Sequence, residues 1–263
     1  MLKFVYAGRA SQGARAYQED AADVWPGSGP LASAVKGAPL ADTALLAVLA
    51  DGMGGHVGGS LASNMVCGVF LECFARGDHD LVMRLAQSLD AANTAILKKV
   101  TAQPHLNGMG STFVAVAFGP AGAHWISVGD SPMYLFRKGE LTRVNEDHSL
   151  APLLDKLAAD GRMDVDVAKN DPRRHYLRSA VTGEELDLID ASKNPLALAP
   201  GDTVLLASDG ILTLSEDDIR RRLQAYKDDT VETIADGLLR DVESAGDPHQ
   251  DNTTLIVVRA LTV

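Results

Sequence analysis

Apolar residues recur every three or four positions from Ser60 to Ala75 and again from Leu81 to Val100. This spacing is typical of a helix that buries one face, so the pattern predicts two successive amphipathic helices. Two more helices are predicted near the end of the chain. One starts at Ser215, where a hydroxyl cap precedes three acidic residues that suit the positive end of the helix dipole, and the other spans Thr230 to Val242.

Strand patterns fill much of the remaining chain. We predict an opening strand over Leu2–Gly8 and later strands over 186–189, 203–207 and 253–259. Between the helices lie four closely spaced strand segments, which are Thr112–Phe118, Ala123–Val128, Met133–Arg137 and Leu141–Val144. Short turns, such as Lys138-Gly139, can join only antiparallel neighbours, because a parallel pair needs a longer crossover. The four segments therefore predict an antiparallel β-meander and disfavour a doubly wound nucleotide-binding fold.

Aspartates stand where apolar strand segments begin or end. Asp51 follows the run Leu45–Ala50 and precedes Gly52, and Asp209 follows 203–207 in the same way, while Asp251 precedes the final strand. A single Asp-Gly pair is more often a hairpin turn than a ligand. Three carboxylates at strand ends, with two of them next to glycine, favour one shared cation site over three separate turns.

The residue types around this site point to a hard divalent cation. Aspartate oxygens are preferred by Mg²⁺ and Mn²⁺, and the seven histidines of the chain do not show a metal-ligand spacing. The glycine-rich segment after Asp51 lacks the Lys-Ser/Thr ending of a nucleoside-triphosphate loop. It also lacks the third glycine of the dinucleotide fingerprint, so both kinds of phosphate loop are disfavoured.

Composition limits the class of protein and its partners. The chain has 263 residues, of which 46% are hydrophobic and 22% are charged, as expected for one large or two small globular domains. Its net charge of −11 argues against nucleic acid as a partner. We found no apolar run of membrane-spanning length and no signal-peptide pattern, so we expect a cytoplasmic protein without a membrane partner.

Seven short motifs occur in an order that resembles the metal-dependent protein phosphatase family, type 2C. The Asp-Gly-Met-Gly-Gly-His form of the second motif is similar to the bacterial branch, and the match extends over nearly the whole chain. The motifs are Arg15-Ala16-Tyr17-Gln18-Glu19-Asp20, Asp51-Gly52-Met53-Gly54-Gly55-His56, Gly110-Ser111-Thr112, Val128-Gly129-Asp130-Ser131, Asp147-His148-Ser149, Ser208-Asp209-Gly210 and Asp251-Asn252-x-Thr254.

The resemblance implies an α+β fold. This fold is a four-layer αββα sandwich in which two central antiparallel β-sheets are flanked by helices, with the metals in a cleft at one end. It also implies that residues 1–263 form one catalytic domain with a flap-like insertion at about 149–182, which we call the flap. The cluster Arg173-Arg174-His175 within the flap either docks an acidic phosphopeptide or is an ordinary solvated surface.

The resemblance also assigns roles to individual residues. It implies two Mn²⁺ or Mg²⁺ ions bridged by Asp51, with Asp209 and Asp251 completing one ion and the carbonyl of Gly52 serving the other. Three further acidic residues and one arginine complete the implied site. Glu19 and Asp20 reach metal-bound water, Asp130 shares a weaker third metal with Asp209, and Arg15 clamps the phosphate.

The implied function is a protein phosphatase that hydrolyses phosphoserine and phosphothreonine through a metal-bridged hydroxide. Its expected partners are phosphorylated proteins and a bacterial Ser/Thr kinase that it opposes; a phosphorylated sigma-factor regulator is another possible substrate. A catalytically silent, partner-binding regulator with the same fold is the alternative, although such a protein would be expected to lose metal ligands.

Three positions depart from the family pattern. Met53 stands where eukaryotic relatives carry a histidine proposed as the general acid, so protonation of the leaving group falls either to metal-bound water or to another, unidentified group. We assign a structural rather than a catalytic role to the loop residue His56. Pro132 and Gln18 replace the usual arginine and asparagine, which affects local geometry rather than the metal ligands.

Overall fold

The structure is a computed structural model that describes residues 2–27, 35, 38–55, 57–77 and 80–262. His56 lies outside the described residues. The elements in chain order are β1 (Leu2–Ser11), β2 (Ala21–Trp25), β3 (Leu45–Ala50), β4 (Gly52–Met53), α1 (Val57–Arg76), α2 (Leu81–Ala102), β5 (Gly110–Ser111), β6 (Phe113–Gly119), β7 (Gly122–Val128), β8 (Met133–Arg137), β9 (Glu140–Arg143), α3 (Ala151–Ala159), α4 (Val165–Lys169), β10 (Asp190–Ala191), β11 (Thr203–Ala207), α5 (Glu216–Ala225), α6 (Val231–Ser244) and β12 (Thr253–Thr262). Short 3₁₀ turns occur at Pro104–Leu106 and Asp209–Thr213.

The strands form two antiparallel sheets. The first sheet has the order β1-β12-β11-β8-β9, and the second has the order β10-β7-β6-β3-β2. A two-stranded ribbon of β4 and β5 stands beside them, and its strands are antiparallel as well. All neighbouring strands within the two larger sheets are also antiparallel, as the short connections predicted.

The alternation of side chains along β3 explains why the molecule has four layers. Leu46, Val48 and Ala50 pack against α1 and α2 on the outer face of the second sheet. Neighbouring side chains on a strand point to opposite faces, so the other residues of β3 meet the first sheet. These residues are Leu45, Ala47 and Leu49. With α5 and α6 packed on the outer face of the first sheet, the predicted αββα sandwich is confirmed.

Helix α1 corrects our expectation about apolar runs. By length and composition its residues Gly58–Arg76, with a mean hydropathy of 1.2, would suffice to cross a membrane. Core helices meet the same criterion, so the finding is weak evidence for a membrane span. Half of this stretch is buried, and its side chains Val66, Phe70 and Phe74 are fully enclosed against the second sheet.

The predicted meander is wrong in one respect. Its four strands form two hairpins that belong to different sheets, β6–β7 in the second and β8–β9 in the first. The chain changes sheet at the loop between Val128 and Met133, which carries Asp130. The β8–β9 turn was predicted correctly, and both Lys138 (φ 52°) and Gly139 (φ 88°) have the positive φ of a tight hairpin turn.

The predicted strand over 186–189 is also wrong. The chain has no regular structure there, and pairing with β7 begins only at Asp190. The pairing covers two residues, opposite Ser127 and Ile126. A short apolar run next to an edge strand therefore marked the neighbourhood of a strand but not its position.

Candidate active site

The two sheets bring three strand ends to one cavity. Asp51 follows β3 of the second sheet, whereas Asp209 follows β11 and Asp251 precedes β12 of the first sheet. We call these three residues the strand-end wall. The cavity has a volume of about 600 Å³. Seven of the eight predicted site residues line it, namely Arg15, Glu19, Asp51, Gly52, Asp130, Asp209 and Asp251.

Asp20 is the predicted site residue that does not line the cavity. Its carboxylate is 8% exposed and accepts a hydrogen bond of 2.8 Å from the hydroxyl of Ser208. Its charge nevertheless raises the pKa of Asp51. The structure thus places Asp20 behind the strand-end wall, where it acts on the cavity through its charge.

Residues of the Gly110–Thr112 motif hold the backbone of Asp51. The amide of Asp51 donates to the hydroxyl of Thr112 over 3.1 Å, and the carbonyl of Asp51 accepts from the Thr112 amide and the Ser111 hydroxyl, each over 2.8 Å. Ser131 adds a 2.7 Å bond to the Thr112 hydroxyl. The sequence alone gives this motif no task, and the structure shows that it positions Asp51.

Gly52 lies where no side chain would fit. A Cβ atom at this position would be 2.2 Å from the carbonyl oxygen of Gly59 at the start of α1. A Cβ at Gly59 would in turn be 2.2 Å from Oε1 of Glu19. The two glycines therefore allow the loop after Asp51, the start of α1 and the Glu19 carboxylate to approach one another closely.

Asn252 connects the two chain segments that carry predicted site residues. Its side-chain oxygen accepts from the Glu19 amide over 2.8 Å, and its side-chain nitrogen donates to the carbonyls of Gln12 and Tyr17 over 2.8 and 3.0 Å. Asn252 is 4% exposed, so these bonds are protected from water. Sequence reasoning misses this role of Asn252, although its place beside Asp251 in a motif is a signal that points to it.

Arg15 reaches the cavity from the loop after β1. Its guanidinium donates a hydrogen bond to the carboxylate of Asp251. Both side chains are partly exposed, with 54% of Arg15 and 37% of Asp251 accessible. The structure therefore places the predicted phosphate clamp next to a predicted metal ligand.

Burial and mutual repulsion raise the pKa of four aspartates at or behind the site, which are Asp20, Asp51, Asp130 and Asp209. Burial raises the pKa of Asp51 well above its usual range, and Asp20, Asp209, Asp130 and Asp251 add to the effect. The pKa of Asp209 is raised by burial and then by the charge of Asp251. Burial and Asp209 raise the pKa of Asp130 to about 7, and burial raises that of Asp20 to about 6. The site therefore favours a bound cation, which would compensate the buried negative charge.

The donors fit a hard divalent cation. Among the described residues, no three acidic, histidine or cysteine side chains already stand together at metal-coordinating spacing. However, three buried carboxylate oxygens at the site lack a hydrogen-bond partner, namely Glu19 Oε1, Asp20 Oδ1 and Asp209 Oδ1. Such oxygens are costly to bury unless something neutralises them, and oxygen donors are those that Mg²⁺ and Mn²⁺ prefer. These oxygen donors therefore fit a divalent cation although they do not stand at metal-coordinating spacing, because the side chains can move toward a bound ion.

Residues of the flap also line the cavity. His175, Tyr176 and Leu177 line it, and we call these three residues the flap wall. Tyr176 is 62% exposed, and His175 is also exposed. The strand-end wall and the flap wall thus line one cavity, to which they contribute carboxylates and an imidazole.

The arginines beside His175 are engaged within the flap. Arg173 donates to both oxygens of Asp171 over 3.0 and 2.7 Å. Arg174 donates to both oxygens of Asp155 over 2.8 and 3.0 Å and to the carbonyl of Ala168 over 3.0 Å. This pairing favours a structural role for the two arginines over the docking of an acidic phosphopeptide.

Comparison with known proteins identifies the family. A profile of protein phosphatase 2C matches residues 34–238. The chain belongs to the protein phosphatase 2C family. The resemblance seen in the motifs is thereby confirmed.

Two protein phosphatase 2C relatives show how much of the length is shared. The serine/threonine protein phosphatase PstP of Mycobacterium tuberculosis is 34% identical over 223 residues, which cover 81% of this chain and 40% of PstP. The chain therefore spans less than half the length of that relative. The serine/threonine phosphatase stp of Listeria monocytogenes is 30% identical over 228 residues, covering 84% of this chain and 87% of stp.

A solved structure of the family shares the fold. The catalytic domain of the serine/threonine protein phosphatase PstP in complex with two manganese ions superposes with a TM-score of 0.74. It is 30% identical, and the superposition covers 100% of both chains.

Proposed function

We propose that this chain is a divalent-metal-dependent protein phosphatase that hydrolyses phosphoserine and phosphothreonine. The observation that carries the proposal is the strand-end wall, where Asp51, Asp209 and Asp251 converge on one cavity from two sheets. The relatives named serine/threonine phosphatase and the manganese-containing catalytic domain support the same reaction.

The residues present have distinct tasks in this proposal. Asp51, Asp209, Asp251 and the carbonyl of Gly52 hold two Mn²⁺ or Mg²⁺ ions, and Asp130 shares a weaker third site with Asp209. When bound, such ions neutralise phosphoryl oxygens and make water more acidic. Glu19, which lines the cavity, would accept a hydrogen bond from water near phosphorus, and Asp20, which lies behind the strand-end wall, would act on that water through its charge. Glu19 Oε1 and Asp20 Oδ1 are both buried and lack a hydrogen-bond partner.

Arg15 and Thr112 prepare the site for a phosphomonoester. A guanidinium can donate two parallel hydrogen bonds to a phosphate, and Arg15 reaches the cavity while remaining half exposed. On substrate binding it would exchange the Asp251 carboxylate for phosphoryl oxygens. Thr112 keeps the backbone of Asp51 in place throughout, through two hydrogen bonds.

The proposal includes partners and location. The substrates are phosphorylated proteins, and the opposing enzyme is a bacterial Ser/Thr kinase, in a cytoplasmic setting. The alternative of a silent regulator is not favoured, because every acidic residue that the resemblance assigned to the metals is present at the site or directly behind it.

Hydrolysis of p-nitrophenyl phosphate tests the reaction, and phosphopeptides test the substrate class. We expect turnover with Mn²⁺, loss of turnover in EDTA, and loss of turnover in Asp209→Asn and Asp251→Asn. A phosphothreonine peptide should be cleaved faster than the same peptide with phosphotyrosine. Full activity in EDTA or in both variants would refute the metal mechanism, and absence of activity with Mn²⁺ would favour the silent regulator.

A further inference from the structure

Phosphoester hydrolysis in this cavity needs a proton donor, which neither Met53 nor the strand-end wall supplies. Cleavage of a serine or threonine phosphate leaves an alkoxide, which is a poor leaving group unless it receives a proton as the P–O bond breaks. Met53, which lines the cavity, has a thioether and no proton to give. The carboxylates of the strand-end wall are required in their ionised form to hold cations. The donor is therefore either water or a side chain in another part of the cavity lining.

His175 has the required chemistry and faces the same space. Among the described residues that line the cavity there is one histidine, which is His175. An imidazole exchanges protons near neutral pH, whereas a guanidinium such as that of Arg15 does not release its proton in proteins. The neighbouring residue Tyr176 carries a phenol, and phenols are in general much weaker acids than imidazolium ions. The charge of His175 also reaches the strand-end wall, where it lowers the pKa of Asp209.

The backbone around His175 is fixed on both sides. Before it, Arg174 bonds to Asp155 of α3 and to the carbonyl of Ala168 in α4. After it, the carbonyl of Tyr176 accepts from the Leu150 amide over 3.0 Å. The imidazole is thus carried by a segment with a defined position, as a residue acting on a reacting atom requires.

The next pair of residues extends this attachment. Leu177 pairs with Ser149 in an antiparallel bridge, and the amide of Arg178 donates to the carbonyl of His148 over 2.8 Å. The amide of His148 in turn donates to the carbonyl of Gly129 over 3.1 Å. Gly129 immediately precedes Asp130, so the segment that carries His175 is connected by hydrogen bonds to the carboxylate side of the cavity.

We propose that His175 is a catalytic residue that protonates the leaving oxygen of the substrate. The inference rests on the proposed phosphatase function. Water attacks phosphorus and the bond between phosphorus and the serine or threonine oxygen breaks, with its electron pair going to that oxygen. The oxygen takes a proton from the His175 imidazolium, and the products are the free hydroxyl and inorganic phosphate. The proton released by the attacking water passes to solvent, from which the neutral imidazole is protonated again.

The test compares leaving groups rather than overall activity. His175→Gln and His175→Ala are assayed with Mn²⁺ on p-nitrophenyl phosphate, phenyl phosphate and a phosphothreonine peptide. The p-nitrophenolate ion leaves readily without a proton, whereas the threonine alkoxide does not. We expect kcat to fall by roughly 10²-fold or more on the peptide, less on phenyl phosphate and only slightly on p-nitrophenyl phosphate. An equal fall on all three substrates would overturn the proposal.

Two controls exclude indirect effects. Arg173→Ala removes a neighbouring charge that does not line the cavity, and it should leave all three rates unchanged. Calorimetric titration with Mn²⁺ should give the same affinity for His175→Gln as for the unaltered chain. A weaker Mn²⁺ affinity would assign the effect to the metals and would contradict proton donation by His175.

His56 is the competing candidate, and one further variant separates the two. If His56→Gln shows the leaving-group dependence and His175→Gln does not, the proposal is wrong. The proposed function fails separately, since it requires the unaltered chain to hydrolyse p-nitrophenyl phosphate and Asp209→Asn to lose that activity. A uniform response of the His175 variants in an otherwise active enzyme would defeat only the assignment of His175.

Discussion

The two walls of the cavity are held in place by different kinds of interaction. In the strand-end wall, Asp51 and Asp209 follow β3 and β11, whose residues are all buried. In the flap wall, His175 and Tyr176 are exposed and depend on hydrogen bonds and ion pairs near the surface. The core therefore fixes the carboxylates together with the fold, whereas the flap wall can be altered without disturbing the core. The two walls should respond differently to substitution, cations and pH.

Replacing one carboxylate of the strand-end wall should have the largest effect. We expect Asp51→Asn to lower kcat/KM for p-nitrophenyl phosphate by at least about 10²–10³-fold, because preorganised charge at a phosphoryl site is lost. In EDTA the same variant should melt at a higher temperature, because a buried charge that four other carboxylates repel has been removed. Loss of activity together with a lower melting temperature would instead indicate misfolding of this wall.

Addition of Mn²⁺ should stabilise the strand-end wall. At a concentration of 100 times the dissociation constant, a ligand that binds only the folded chain adds about 2.7 kcal/mol to the free energy of unfolding. For a chain of this size that corresponds to a rise of roughly 5–10 °C in melting temperature. Calorimetric scans in Mn²⁺ and in excess EDTA measure the difference. Superimposable scans would count against a cation site formed by these carboxylates.

Breaking the attachment of the flap should affect large substrates and spare the core. Arg174→Ala removes the hydrogen bonds to Asp155 and Ala168. We expect kcat/KM to fall by about tenfold on a phosphothreonine peptide and much less on p-nitrophenyl phosphate, because misplacing a positioning segment costs rate. Because the Arg174–Asp155 pair is near the surface, the melting temperature should change little. Arg173→Ala, which breaks the pair with Asp171, is the matched control and should leave both substrates unaffected.

A further expected effect is a pH dependence of stability in EDTA. The pKa of Asp130 is about 7 in the folded chain and about 3.9 for an ordinary aspartate. Between these values the folded chain binds more protons than the unfolded chain, so the free energy of unfolding should decrease as pH rises from about 4 to about 7. Asp130→Asn removes one titrating group and should make this decrease shallower. Urea titrations at several pH values in EDTA provide the measurement, and equal slopes for the two proteins would contradict the raised pKa.

Sequence reasoning located the strand-end wall because the pattern that reveals it lies in consecutive residues. An apolar run that ends in Asp-Gly records both a buried strand and the residue at its end, so Asp51 and Asp209 could be recognised before their partners were known. Helix spacing worked for the same reason, and α2 begins at Leu81 as its apolar pattern predicted. The capping box that starts α5 at Ser215 was also readable from four consecutive residues.

Features that depend on distant partners were missed. Alternation along a strand reveals its two faces but not its neighbour, so the two hairpins were predicted as one meander although they belong to different sheets. Sequence reasoning leaves the cluster at 173–175 open between docking of an acidic phosphopeptide and an ordinary solvated surface, because nothing local indicates that Arg174 meets Asp155. Likewise, Asn252 bonds to Gln12, 240 positions away, which local patterns do not encode.

The residues of the strand-end wall are distributed over both sheets. The hydrophobic layer between the sheets therefore affects how far apart these aspartates lie across the cavity. Asp51 extends from one sheet, and Asp209 and Asp251 from the other, so the thickness of the packing between the sheets sets the span across which a cation must be held. Leu49 and Leu206 belong to that packing and carry no chemistry of their own. Their volumes nevertheless help to set the distance between the sheets, and with it the distance between Asp51 and the two aspartates of the other sheet.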